Sequence, residues 1–138
     1  MKIEITKEQL CEKAKEAMER AYAPYSFCKV GAALLSKSGR VYLGCNIENA
    51  SFSPTICAER SAFASAVSAG EREFAALAVT GGKNGEIKGA FFPCGVCRQV
   101  IREFCPDDFP IYVLAEEGKI IETTLSALLP NSFSKEDF

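Results

Sequence analysis

Two short segments, each placing cysteine where a helical pattern begins, constrain the fold of this chain more than any other feature. One is Pro93-Cys94-Gly95-Val96-Cys97; the other is Cys57-Ala58-Glu59-Arg60. Thiolates at i and i+3 on the first turn of a helix can both reach one tetrahedral ion, and Cys57 supplies a third thiolate from a different helix. A fold that joins them must bring two helix starts to one point. Cys-x-x-Cys alone leaves redox, structural zinc and catalytic zinc open. A redox pair usually follows the first strand of a thioredoxin-like pattern, and this pair comes late in the chain. A structural zinc fills all four positions with protein ligands, whereas a catalytic one leaves a position for water. Glu59, two residues beyond Cys57, stands close enough to lean over that open side without binding the metal. Cys11, Cys28, Cys45 and Cys105 have no paired spacing and read as small buried hydrophobes.

The absence of histidine removes much chemistry. No Ser-His-Asp or Cys-His couple exists, so a proton shuttle must be a carboxylate, Lys, Tyr or Cys. The seven cysteines are an odd number, and Met1 to Glu4 leads into a charged helical pattern rather than a secretory signal. These features point to reduced thiols and a cytoplasmic location. With 16 basic and 18 acidic residues there is no basic excess to hold a phosphate backbone, so no nucleic-acid partner is expected. No apolar run approaches the roughly 20 residues of a membrane span, so no membrane partner is expected either. At 138 residues, with 48% hydrophobic and 25% charged, the chain suits a single domain over 1–138.

Along the chain, Thr6-Lys7-Glu8-Gln9 is a capping-box pattern. It opens a helix whose apolar face is Leu10, Ala14, Ala17 and Ala21, ended by Ala23-Pro24-Tyr25-Ser26. Strands are expected over Val30 to Leu35 and Val41 to Cys45, joined by the turn Ser36-Lys37-Ser38-Gly39. Asn46 to Ser53 reads as a polar loop. Pro54 signals a helix start, and that helix carries Cys57 through Ala69 to Gly70. Phe74 to Thr80 is a third strand, and Gly81, Gly82, Gly85 and Gly89 mark a loop that ends at Pro93. A helix over about Cys94 to Phe104 follows, then strands over Ile111 to Ala115 and Lys119 to Thr123. Only Glu116-Glu117-Gly118 separates these last two, too short for a parallel crossover, so strands four and five should be antiparallel. A turn of helix at Leu125 to Leu128 and a tail after Pro130 complete the chain. The alternation gives a layered α/β domain with a five-stranded mixed sheet flanked by helices.

Asn46 and Glu48 stand two apart in an extended segment, so their side chains point the same way. An amide and a carboxylate together suit a sugar hydroxyl. Without a sugar, this pair would be left unpaired.

Cys57-Ala58-Glu59 together with Pro93-Cys94-Gly95-Val96-Cys97 resembles the zinc-dependent cytidine deaminases. The likeness extends in order over Tyr25-Ser26, Val30-Gly31-Ala32-Ala33, Gly44-Cys45-Asn46-Ile47-Glu48-Asn49-Ala50, Arg98-Gln99 and Leu128-Leu129-Pro130, nearly the whole chain. The three-Cys form is similar to the small homotetrameric branch. The resemblance implies a three-layer cytidine-deaminase-like fold, and one Zn²⁺ per chain on Cys57, Cys94 and Cys97. It implies hydrolytic deamination of cytidine and 2′-deoxycytidine to the uridine counterparts with release of ammonia, a step of pyrimidine salvage. Glu59 would take a proton from water, deliver it to N3 and help protonate the leaving ammonia.

Three thiolates outweigh the charge of one Zn²⁺ and make a poorer Lewis acid than a site with a neutral ligand. The positive helix starts offset that, as does Arg60 hydrogen-bonding the thiolates. The resemblance further implies that Asn46 and Glu48 hold the ribose 3′-OH and that the Ala58 backbone binds the polar edge of the base. It implies that Phe133 enters a neighbouring subunit's site, so that the homotetramer has composite active sites.

One departure stands out. The family usually places Phe two residues after Tyr-Ser, to flank the base; here Phe27 follows Ser26 directly and Cys28 holds that position. A deaminase for a cytosine-containing antibiotic such as blasticidin S is the rival on the same fold, and Asn46-Ile47-Glu48 favours a simple nucleoside. A non-catalytic zinc module would instead fill the fourth metal position with a protein ligand.

Overall fold

A computed structural model describes residues 4–138; the expectation about a leader therefore falls largely on Met1 to Ile3, outside the described residues. The elements are α1 (Lys7–Met18), β1 (Cys28–Ser36), β2 (Val41–Cys45), α2 (Ala58–Ser68), β3 (Phe74–Lys83), α3 (Gly95–Phe104), β4 (Pro110–Leu114), β5 (Ile120–Thr124) and the single turn α4 (Leu125–Leu128). The sheet order is β2-β1-β3-β4-β5. β1 is antiparallel to both β2 and β3, β3 and β4 are parallel, and β4 and β5 are antiparallel, so the sheet is mixed. The short connection between β4 and β5 has the expected consequence, while the α3 crossover makes the parallel pair.

Successive strand residues face opposite sides of the sheet, and both sides are covered. Ala33, Ala76, Ala78 and Leu114 pack under Leu10, Cys11 and Ala14 of α1. Ala32, Leu34, Leu77 and Val79 face the other way, under Ala62 and Phe63 of α2 and Ile101 of α3. Two glycines set how close the helices lie. A Cβ on Gly31 would collide with the Ala14 carbonyl, and one on Gly44 with the Ala58 carbonyl and the Ala62 amide. Gly44 thus fixes the depth at which α2 begins, and with it the position of Glu59.

Three of the boundaries that differ from the sequence expectation do so because of a long-range backbone pairing. α1 ends at Met18, and Ala21 lies beyond it, in a turn that closes back on the helix before Tyr22 pairs with a distant segment. The Tyr22 amide donates to the Asn46 carbonyl at 2.9 Å and the Glu48 amide donates to the Tyr22 carbonyl at 2.8 Å. α2 starts at Ala58 rather than near Pro54, because Ile47 and Ile56 exchange two backbone hydrogen bonds that hold the chain extended up to Cys57. β3 runs on through Gly81 and Gly82, which pair with Val30 and Lys29 instead of forming a loop. A Cβ on Gly82 would strike the Glu86 carbonyl, so glycine permits the following turn to fold back over the strand.

Candidate active site

Cys57 is the N-cap of α2, and Cys94 is the N-cap of α3. Neither side chain caps its own helix, so both thiols are free to face outward from a helix start. Cys97 lies in the first turn of α3, fully buried. The sulfurs of Cys57 and Cys94 are 3.8 Å apart and those of Cys94 and Cys97 3.6 Å. All three lie within 4.8 Å of one another. Tetrahedral zinc with Zn–S bonds of about 2.3 Å needs sulfurs about 3.8 Å apart, so the three thiols fit that ion. They form the cysteine cluster found among the described residues.

Both helix starts present positive dipole ends to the sulfurs. Arg60 adds a full charge: its Nη2 donates to the Cys57 sulfur at 3.5 Å. Hydrogen bonding with Cys97 draws the Cys57 thiol down to about 5, with Arg60 contributing. Cys97 is pushed the other way, first by that shared hydrogen bond and then by burial. The Arg60 Nε is buried without a hydrogen-bond partner, leaving one donor beside the sulfurs unused.

Glu59 is 4% exposed, and burial raises its carboxyl to about 7. It lines a cavity of about 280 Å³ together with Cys57, Cys94, Ala58, Asn46 and Glu48. The fold thus gathers two of the three expected metal ligands, the expected proton carrier and the expected sugar pair around one space, with the third ligand, Cys97, buried behind them. The polar pair is not idle in the free chain, however. Asn46 accepts from the Val30 amide and donates to the Cys28 carbonyl, both at 2.8 Å. Glu48 accepts from the Tyr25 and Ser26 amides and from the Ser26 hydroxyl. These bonds hold its carboxyl below the usual range, the Ser26 hydroxyl most of all. The expectation that the pair is unpaired without a sugar is corrected: both residues first hold the chain around β1. Their inventory still leaves an amide hydrogen on Asn46 and a lone pair on Glu48 for a ligand.

Phe133 stands apart from this cavity. Its ring is 60% exposed and packs edge-on against Phe138. Of the cysteines expected to be buried hydrophobes, Cys11 and Cys105 are, with burial pushing their thiols up to about 11 and about 12. Cys28 instead lines the cavity, while Phe27, at a φ of +61° and 53% exposed, turns its ring out. Sequence reasoning also missed Phe91 and Phe92, which line the cavity from the segment before Pro93. Their signal was an aromatic pair in an otherwise glycine-rich loop. Arg98 lies on α3, one residue after Cys97. Its side chain donates to the carbonyls of Pro93 and Leu128, both at 2.6 Å, so it fastens the Cys94 segment to α4.

Comparison with known proteins agrees with this geometry. The family described as "Cytidine and deoxycytidylate deaminase zinc-binding region" matches residues 4–113. A cytidine deaminase of Sporosarcina psychrophila is 53% identical over 130 residues, covering 94% of this chain and 93% of the relative. One from Halalkalibacterium halodurans is 47% identical over 131 residues, covering 95% and 96%. The crystal structure of cytidine deaminase from Burkholderia pseudomallei superposes with a TM-score of 0.86 at 46% identity, over 94% of this chain and 100% of that one.

Proposed function

The chain belongs to the zinc-binding cytidine and deoxycytidylate deaminase family, and from that premise we propose that Glu59 carries the protons of its reaction. The protein is a zinc-dependent hydrolase that deaminates cytidine and 2′-deoxycytidine to uridine and 2′-deoxyuridine, a step of pyrimidine salvage. Cys57, Cys94 and Cys97 would hold the zinc, one ion per chain. When bound, zinc supplies a water acidic enough to ionise near neutral pH. Glu59 would accept one proton from the attacking water and deliver it to N3 of the pyrimidine. With the C4–O bond formed, it would carry the second proton, from the added hydroxyl, to the amino nitrogen as the C4–N bond breaks and ammonia leaves. One carboxylate suffices because each transfer restores its state. The observation that carries this reading is the place of Glu59: buried, and lining the same cavity as Cys57 and Cys94.

Asn46 and Glu48 bind the sugar hydroxyl with the hydrogen-bonding capacity they retain, and the Ala58 backbone meets the polar edge of the base. Arg60 draws charge from the sulfurs and so restores acidity to the metal. The whole of 1–138 acts as one catalytic unit in the cytoplasm, without nucleic-acid or membrane partners. No helix among the described residues is long and apolar enough to cross a membrane. The chain assembles as a homotetramer in which Phe133 completes a neighbouring subunit's site; its exposure supports that reading.

The direct test follows the loss of cytidine absorbance and the release of ammonia by zinc-loaded protein. Equal quantities of uridine and ammonia are expected, with blasticidin S turned over far more slowly. Unchanged cytidine refutes the reading.

A further inference from the structure

A planar pyrimidine held above Glu59 needs a flat apolar surface beside it, because ring faces bind best by stacking or edge contact. The start of β1 does not provide one. Cys28 lines the cavity there, and Phe27 is 53% exposed and not among the lining residues. The aromatic side chains that line the cavity, among the described residues, are Phe91 and Phe92. Their placement is built rather than incidental. Gly81 on β3 leaves room for the Phe91 ring: a Cβ there would stand 3.0 Å from Phe91 Cδ2. Directly after the pair, Pro93 is buried and its carbonyl is held by Arg98 at 2.6 Å, which fixes where the loop delivers the two rings.

We propose that Phe91 and Phe92 form the aromatic wall that positions the pyrimidine ring, taking the role that the start of β1 leaves to a thiol. The inference rests on the cytidine reading above and names the surface that orients the base within it. A wall of this kind touches the ring equally in the bound substrate and in the transition state. Its loss therefore raises KM and leaves kcat nearly unchanged.

The experiment compares steady-state cytidine deamination by the parent protein with that of Phe91→Leu/Phe92→Leu, which keeps apolar bulk and removes both rings. Zinc content and melting temperature are measured alongside. Loss of stacking should raise KM by about three- to tenfold, with kcat within twofold and zinc unchanged. Inhibition by the product uridine should weaken by a similar factor, because the wall contacts the ring and not the amino group. Phe92→Ser alone alters a partly exposed side chain and leaves the buried packing of Phe91 intact. It should shift KM the same way by about two- to fivefold, which keeps the test available if the double variant folds poorly. Phe27→Asn suits the left-handed backbone at that residue and should leave KM unchanged.

An unchanged KM in the Phe91 and Phe92 variants, in a parent that deaminates cytidine, overturns the wall and leaves the deaminase reading standing. So does a KM that rises in Phe27→Asn instead. A fall in zinc content and kcat together would show that the two residues only support the Cys94 segment, and also overturns the proposal. A parent inert towards cytidine removes the deaminase reading, and this inference with it.

Discussion

Gln99 donates from Nε2 to the carbonyl oxygen of Phe133 at 2.9 Å, so the tail of the chain is fastened to the helix that carries Cys97. Ser134, buried beside it, caps the turn Lys135–Asp137 with its side chain. The tail is therefore an ordered arm that holds an exposed ring at a fixed place. Phe133→Ala should raise KM for cytidine several-fold to about tenfold while zinc content holds, the scale of an aromatic contact. Light scattering should report a tetramer. Mixing Phe133→Ala chains with Glu59→Gln chains should recover activity, because some sites would then join an intact Glu59 to an intact Phe133. A fully active monomer, or no recovery where subunits demonstrably exchange, removes the role between subunits.

The parent should carry one zinc per chain, and Cys94→Ala should lose it. The variant should also melt at a lower temperature, because the ion ties the start of α2 to the start of α3. Elemental analysis decides the point: full occupancy in that variant would sink the ligand assignment.

Glu59→Gln keeps the shape of the side chain and removes its proton-accepting oxygen. Zinc and fold should be retained while turnover falls by at least about 10⁴-fold, the upper end for general acid–base catalysis, since several transfers pass through this one group. A variant with more than a tenth of the parent's turnover would identify a different base.

Asn46 and Glu48 have a double duty that their variants should reveal. Asn46→Ala leaves the Val30 amide and the Cys28 carbonyl without their partner. It should cost about 1–3 kcal/mol of stability as well as sugar binding. Glu48→Ala releases the Tyr25-Ser26 turn and should narrow the preference for cytidine over free cytosine, because the lost contact is one the free base never made. Equal rates on cytidine and cytosine in the parent would show that neither residue binds the sugar.

Glu71 closes the β1–β2 hairpin: its carboxylate accepts from Ser36 at 2.7 Å, Ser38 at 2.6 Å and Tyr42 at 2.9 Å. Those bonds, the Ser36 one foremost, lower its pKa below the ordinary value of 4.5. The stability they contribute is present above that value and is lost as the pH falls through the lowered one. Glu71→Gln should therefore melt below the parent at pH 7, and the gap should close under acid conditions. A gap that persists unchanged in acid would assign the effect to packing rather than charge.

The features legible in the sequence were those decided by near neighbours. The Thr6–Gln9 capping box forms as written, because each partner lies within one helical turn of the other. β2 has the limits expected of it, and the short step from β4 to β5 forced their antiparallel pairing. The thiol spacing pointed to one cluster, and the structure brings Cys57, Cys94 and Cys97 together with Glu59 nearby. What misled was the reach of the segment around Asn46. Its pairing with Tyr22 and Ile56 draws the chain out of α1 early and into α2 late, and no local propensity records it.

The sequence by itself therefore determined the order of the elements and the candidate cluster of three thiols, since local pattern and spacing suffice for each, while the chemistry assigned to Glu59 came with the family resemblance. Only the tertiary structure decided that Cys28 faces the cavity while Phe27 faces solvent, and that Phe91 and Phe92 supply its aromatic surface. A one-residue change of phase at the edge of a strand reverses which side chain points inward. That phase is set by the left-handed turn at Phe27 and by the pairing of Cys28 with Lys83, a partner distant in the chain.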